Sequence, residues 1–204
     1  MTSLDHGVRE SWDRIGTWLR THARKAPIRS AADTGRLDAA ETRLTALPAD
    51  VQEWWALTDV SADYWIPGPF APVTLEEALE TREIWLLVAE QEDSLTDQAQ
   101  EDDPRFLPEF LPIAMSPGGD GLIIDLRAGE HHGAVFVWDH ERWGLEVPLW
   151  DSINSMLHDI AAALESRTPA LLGHAALGGA EAACVGTVDG SGDLCWEPAD
   201  RTRW

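Results

Sequence analysis

Apolar residues in the first segment recur at Val8, Trp12, Ile15 and Leu19. That is the three-to-four-residue spacing of one helical face, and Pro27 ends or follows the helix. A second helix, capped by Asp33 or Thr34, carries Leu37, Ala40 and Leu44 on one side. Leu47-Pro48 breaks it, and Pro48 suits the first turn of a third helix, Ala49–Leu57, expected to bury Val51 and one of the indoles of Trp54 and Trp55. Tyr64-Trp65-Ile66 reads as a short strand before the Pro67-Gly68-Pro69 turn. Thr74-Leu75-Glu76-Glu77 is a capping box, in which hydroxyl and carboxylate each satisfy an orphan N–H at a helix start. The helix it opens has Leu75, Leu79, Arg82, Leu86 and Ala89 on one stripe, where Arg82 is expected to pair with a carboxylate at the edge of the core.

The middle of the chain changes period. Leu111–Met115 reads as a strand, Ser116–Gly121 as a turn rich in residues that tolerate positive φ, and Leu122–Leu126 as a second strand. The second strand is too uniformly apolar for a half-exposed edge. Arg127–Gly133 turns the chain again, and Ala134–Trp138 returns as a third strand rich in valine and aromatics. Beyond it, Asp151 or Ser152 caps a helix with Ile153, Met156, Leu157, Ile160, Ala161 and Leu164 on a wide stripe. Cys184–Val188 and Leu194–Trp196 form a closing hairpin around Asp189-Gly190-Ser191-Gly192.

Composition narrows the partners. The net charge is -21 over 204 residues, which disfavours nucleic acid, whose binding needs cationic patches, and anionic membrane surfaces. Seven acids, no base and one large apolar residue, Leu95, lie between Glu90 and Asp103. Such a stretch buries too little to offset its ordering entropy and is expected to be a solvated acidic loop near residues 90–103. The start of the chain has no apolar leader and no run is long enough to cross a bilayer, so a cytoplasmic protein with reduced thiols is expected.

Catalytic and metal-binding patterns do not assemble along the sequence. Asp120 in Gly118-Gly119-Asp120-Gly121 is explained by turn chemistry, and this run lacks the lysine of a phosphate loop. His131-His132 and Asp139-His140 flank one strand about 20 Å apart, and neighbours on a strand point to opposite faces, so neither pair chelates well. Ser191 lacks the context of a nucleophile elbow. No catalytic, metal-binding or cofactor-binding residue is assigned; a hydrolase would need Asp120, Asp125 and Asp139 to converge in space.

The central stretch resembles the SUKH superfamily of Smi/Knr, cell-wall assembly regulator-like proteins. The residues that carry the likeness are Leu111-Pro112-Ile113, Gly118-Gly119-Asp120, Asp125, Gly133-Ala134-Val135 and Trp138-Asp139-His140, and they are expected to be structural. Weaker echoes at Glu41, Leu44, Leu47-Pro48, Trp54-Trp55, Ser152, Met156 and Leu157 extend it over roughly 37–165. The likeness departs at Asp59-Val60, where the family has a left-handed Asn-Gly helix end; valine tolerates that conformation poorly, so this helix must end differently.

The resemblance implies an α+β fold, a mostly antiparallel sheet of about four to six strands with helices packed around it. The expected organisation is a SUKH-like domain over 1–167 and a C-terminal extension, 168–204, carrying the closing hairpin. It also implies a non-enzymatic protein-binding role without cofactors. In bacteria this would be an immunity or antitoxin-like protein occluding a toxin, often a nuclease; the alternative is a regulatory or scaffold module. For a basic toxin the candidate contacts are Asp93, Asp97, Glu101, Asp102 and Asp103, with exposed tryptophans as anchors.

Overall fold

Three strands occupy the middle of the molecule where the sequence places them: β2 (Phe110–Met115), β3 (Gly121–Asp125) and β4 (Val135–Asp139). Two-residue strands close the edges, β1 (Ala71–Pro72) beside β2 and β5 (Gly144–Leu145) beside β4. The sheet is antiparallel throughout, in the order β1-β2-β3-β4-β5. This computed structural model describes residues 7–24, 35, 44, 47–58, 65–95, 106–141, 144–145, 147–172, 174 and 183–199. Pro112 would interrupt a regular central ladder because it has no N–H to give. The register shifts between Pro112 and Ala114, and the Ile113 carbonyl accepts from Val73 N at 3.0 Å.

Side-chain alternation divides the strands between two cores. Leu111, Ile113, Leu122, Ile124, Val135 and Val137 face one cluster; Phe110, Ile123, Phe136 and Trp138 face the other. Every residue of β3 is buried, which accounts for its unbroken apolar run. Helices α1 (Val8–His22), α2 (Ala49–Leu57) and α4 (Ile153–Ser166) supply the first cluster through Trp12, Ile15, Trp54, Trp55, Ile160 and their neighbours. Helix α3 (Leu75–Leu95) gives Leu75 and Ala78 to the first and Trp85 and Leu86 to the second. The α+β architecture expected from the sequence is the one observed.

Local signals set the helix starts. Thr74 and Glu77 form the capping box, with Thr74 N donating to Glu77 Oε2 at 2.8 Å and Glu77 N to Thr74 Oγ1 at 3.1 Å. Ser152 caps α4, accepting from Ser155 N at 3.1 Å. Asp50 Oδ2 accepts from Asn154 N at 3.0 Å, so a carboxylate of α2 sits at the positive end of α4. Helix α2 ends at Thr58 in extended conformation, without a left-handed cap.

Strands β6 (Cys184–Val188) and β7 (Leu194–Pro198) form a separate two-stranded sheet. A Cβ at Gly186 would lie 2.7 Å from Leu164 Cδ2, so the hairpin lies directly on α4. Arg24 N donates to Gly192 O at 2.6 Å, tying the hairpin turn to the residues just after α1. Cys184 faces Pro198 and Cys195 faces Thr187 across the ladder, so the thiols are out of register for a disulfide. Burial pushes the Cys184 thiol up to about 12.

Several expectations are corrected. Both indoles of α2 are buried, Trp54 to 1% and Trp55 to 0% exposure, although neither N–H finds an acceptor among the described residues. Removing an indole from water gains roughly 5 kcal/mol, against about 1–3 kcal/mol for an unmade hydrogen bond, so the apolar term wins. Arg82 donates to the Pro108 carbonyl at 3.0 and 2.5 Å, where a carboxylate partner was expected. Trp65 and Ile66 are buried but form no strand. Residues 90–95 continue α3, where a loop was expected to have begun. The second expected helix falls outside the described residues, apart from Gly35 and the buried Leu44.

Gly121 is where the second core is tightest. A Cβ there would lie 2.7 Å from Trp85 Cη2, and that ring is held by Phe106 at 5.0 Å and Trp138 at 6.4 Å between centroids. Gly121→Ala is expected to lower stability by about 1–3 kcal/mol, read as a lower denaturant midpoint at unchanged slope. An unshifted midpoint would show that Trp85 gives way freely.

Candidate functional site

The residues of the central likeness have structural work in this fold. Leu111 is fully buried opposite Ile124, and Trp138 is buried between Phe106 and Phe110. Gly133 has φ +87°, gives its N–H to Asp125 O at 2.7 Å and lies against Pro48, 3.3 Å from where its Cβ would be. Asp125 is 1% exposed, yet its carboxylate is well matched. Arg127 donates from Nε at 2.9 Å to Oδ1 and from Nη2 at 2.6 Å to Oδ2, and its backbone N–H reaches Oδ1 at 2.9 Å. The guanidinium also lies 5.0 Å from the Phe110 centroid, closing the rim of the second core.

The other end of β3 carries the only constellation of mixed ligand chemistry found among the described residues. Asp120, Asp139 and His140 each place one nitrogen or carboxylate oxygen within 4.8 Å of the others. Asp120 follows the Gly118-Gly119 turn, and Gly119 (φ +101°) leaves room for the His140 ring, 3.3 Å from where its Cβ would be. His140 meets Asp120 Oδ1 twice, through its backbone N–H at 3.2 Å and its ring Nδ1 at 2.8 Å. Asp139 Oδ1 accepts from Glu141 N at 2.9 Å. These contacts clamp the β2–β3 turn to the end of β4, and they engage the carboxylates that a reaction would need. Asp125 lies five residues, about 16 Å of strand, from Asp120 and is committed to Arg127, so the three aspartates do not converge. His131 instead packs edge-on against Phe136 at 5.8 Å.

The candidate partner-binding residues fall elsewhere. Asp93 lies in the last turns of α3; Asp97, Glu101, Asp102 and Asp103 are outside the described residues. Helix α3 is itself strongly acidic, with seven carboxylates from Glu76 to Asp93 against the single base Arg82. Glu76, Glu80, Glu83 and Glu90 are exposed on its outer side. On the same side stand Ile84, Leu87 and Val88, exposed by 58, 57 and 37%. Sequence reading missed this triad, although Ile84–Ala89 is a run of six apolar residues that one inward stripe cannot absorb. Among the described residues every tryptophan is buried or partly buried, and Trp143 and Trp204 lie outside them.

The Asp120 hydrogen bond raises the His140 pKa above its ordinary 6.5, with neighbouring carboxylates adding to it. A raised folded-state value means a contribution to stability that is complete below about 6.5 and fades as pH rises through the folded value. Titration of the His140 ring by NMR is expected to show a raised midpoint that falls back in Asp120→Asn. For Asp125 and Arg127, each single alanine substitution is expected to cost about 1–2 kcal/mol, because it strands a partner, and the double substitution less than their sum. Additive losses in the cycle would show that the pair is not coupled.

No helix among the described residues is long and apolar enough to cross a membrane. No curated protein matches the chain. The model of the SMI1 / KNR4 family (SUKH-1) matches residues 31–159, which takes in α2, α3, the five-stranded sheet and the start of α4. The match spans more than half of the sequence, and the chain belongs to the SMI1 / KNR4 family (SUKH-1).

Proposed function

We propose that this chain is a non-enzymatic, cytoplasmic protein-binding module of the immunity type, which neutralises a basic, nuclease-type toxin by covering its active site. The observation that carries this reading is charge: -21 overall, with exposed carboxylates along the outer side of α3. A surface of one sign attracts an oppositely charged partner over distances near the screening length and raises its association rate. A nucleic-acid-cleaving protein needs a cationic cleft to hold phosphates, so its own substrate site is complementary to this surface. Family membership supports the reading, and so does the commitment of Asp120, Asp139 and Asp125 to turn and rim contacts.

Tagged protein should recover a basic protein from lysate of its source or of a competing strain at low salt. The association rate with that partner, measured by stopped flow, is expected to fall at least about tenfold between 0.05 and 0.5 M salt. A salt-independent rate would overturn the steering mechanism. Recovery of wall-synthesis or signalling proteins in its place would assign the chain to regulation.

A further inference from the structure

The outer face of α3 combines two features that a purely solvated helix does not need. Ile84, Leu87 and Val88 stand at i, i+3 and i+4, so their side chains form one short ridge along the helix. Exposed Glu80 and Glu83 lie one turn before the ridge and exposed Glu90 just beyond it, a span of about 15 Å from Glu80 to Glu90. The inward face is already occupied: Trp85 contacts Phe106 and Trp138, Ala89 is buried, and the guanidinium of Arg82 is turned onto Pro108 O. Arg82, the single base of α3, also lies close enough to Glu83 to interact with it, and the helix keeps a net excess of carboxylates.

Resting on the protein-binding reading above, we propose that this ridge is the docking site for a cationic amphipathic helix of the partner, apolar at three- and four-residue spacing and flanked by arginine or lysine. Charge selects this occupant. A second copy of the chain would set Glu80, Glu83 and Glu90 against the same residues, and like charges brought together are costly. The apolar area of three side chains, a few hundred Å2 at most, is also far below the roughly 800 Å2 per partner of a stable interface. The carboxylates must therefore contribute, and they do so only against a cationic surface. An anionic membrane is disfavoured by the same charges. A helix laid alongside α3 places its own apolar ridge between Ile84 and Leu87 while its basic flanks reach the glutamates.

The test uses the full chain and three synthetic 18-residue helices: leucine with arginine, leucine with glutamate, and glutamine with arginine in the same pattern. Binding is followed by fluorescence anisotropy for the wild type and for I84Q/L87Q/V88Q, in which glutamine keeps helix propensity. The leucine–arginine helix is expected to bind the wild type at least tenfold more tightly than it binds the variant, and tenfold more tightly than the other two helices bind. Far-ultraviolet circular dichroism of the variant should match the wild type. Equal binding to the variant, equal binding of the glutamate helix, or no binding at all would each overturn the proposal. A wild-type dimer in sedimentation that the variant loses would assign the face to a second copy and overturn it as well. If wild type and variant recover the same basic protein from lysate equally well, this face is excluded while the protein-binding reading stands.

Discussion

Ile123 points to one side of the sheet and Leu122 and Ile124 to the other, and none of the three can be left in water. That requirement organises the molecule. A central strand that is apolar on both faces must be covered twice. The first cover is a layer of α1, α2 and α4; the second is made largely by α3 and the aromatic group of Phe106, Phe110 and Trp138. The close approach at Gly121 and the Asp125–Arg127 rim are both consequences of fitting that second cover against the strands.

Local chemistry was readable in the sequence, and its long-range consequences were not. Strands β2 to β4 declare themselves because glycine turns and short, nearly unbroken apolar runs act over five or six residues. The caps at Thr74 and Ser152 are equally local. Burial of both Trp54 and Trp55 depends on what packs over them, which spacing along α2 does not contain. Arg82 was expected beside a carboxylate and meets a carbonyl supplied by Pro108, 26 residues away. The end of α3 was misplaced for an energetic reason: glutamate and glutamine are good helix formers, and propagation from an anchored turn is far easier than nucleation. The meeting of Asp120 with His140 is a product of the β3–β4 register and leaves no trace in either turn alone.

Helix α3 serves the fold and the surface with different residues of the same turns. Trp85 and Leu86 look inward, while Ile84, Leu87 and Val88 look outward. The inner contacts hold the helix in place, so the outer side chains are presented from a fixed backbone and not from a loop. Less order then has to be imposed when a partner arrives.

The family likeness runs from 31 to 159, and its second limit falls inside a helix. Residue 159 lies inside α4, before Ile160, Ala161 and Leu164 have reached the core. What lies beyond the likeness at each end, α1 and the β6–β7 hairpin, meets through Arg24 and Gly192 and shares α4 as a common floor. The segments outside the likeness thus pack on its own last helix and touch each other, so a cut at 159 would pass through the surface on which both of them rest.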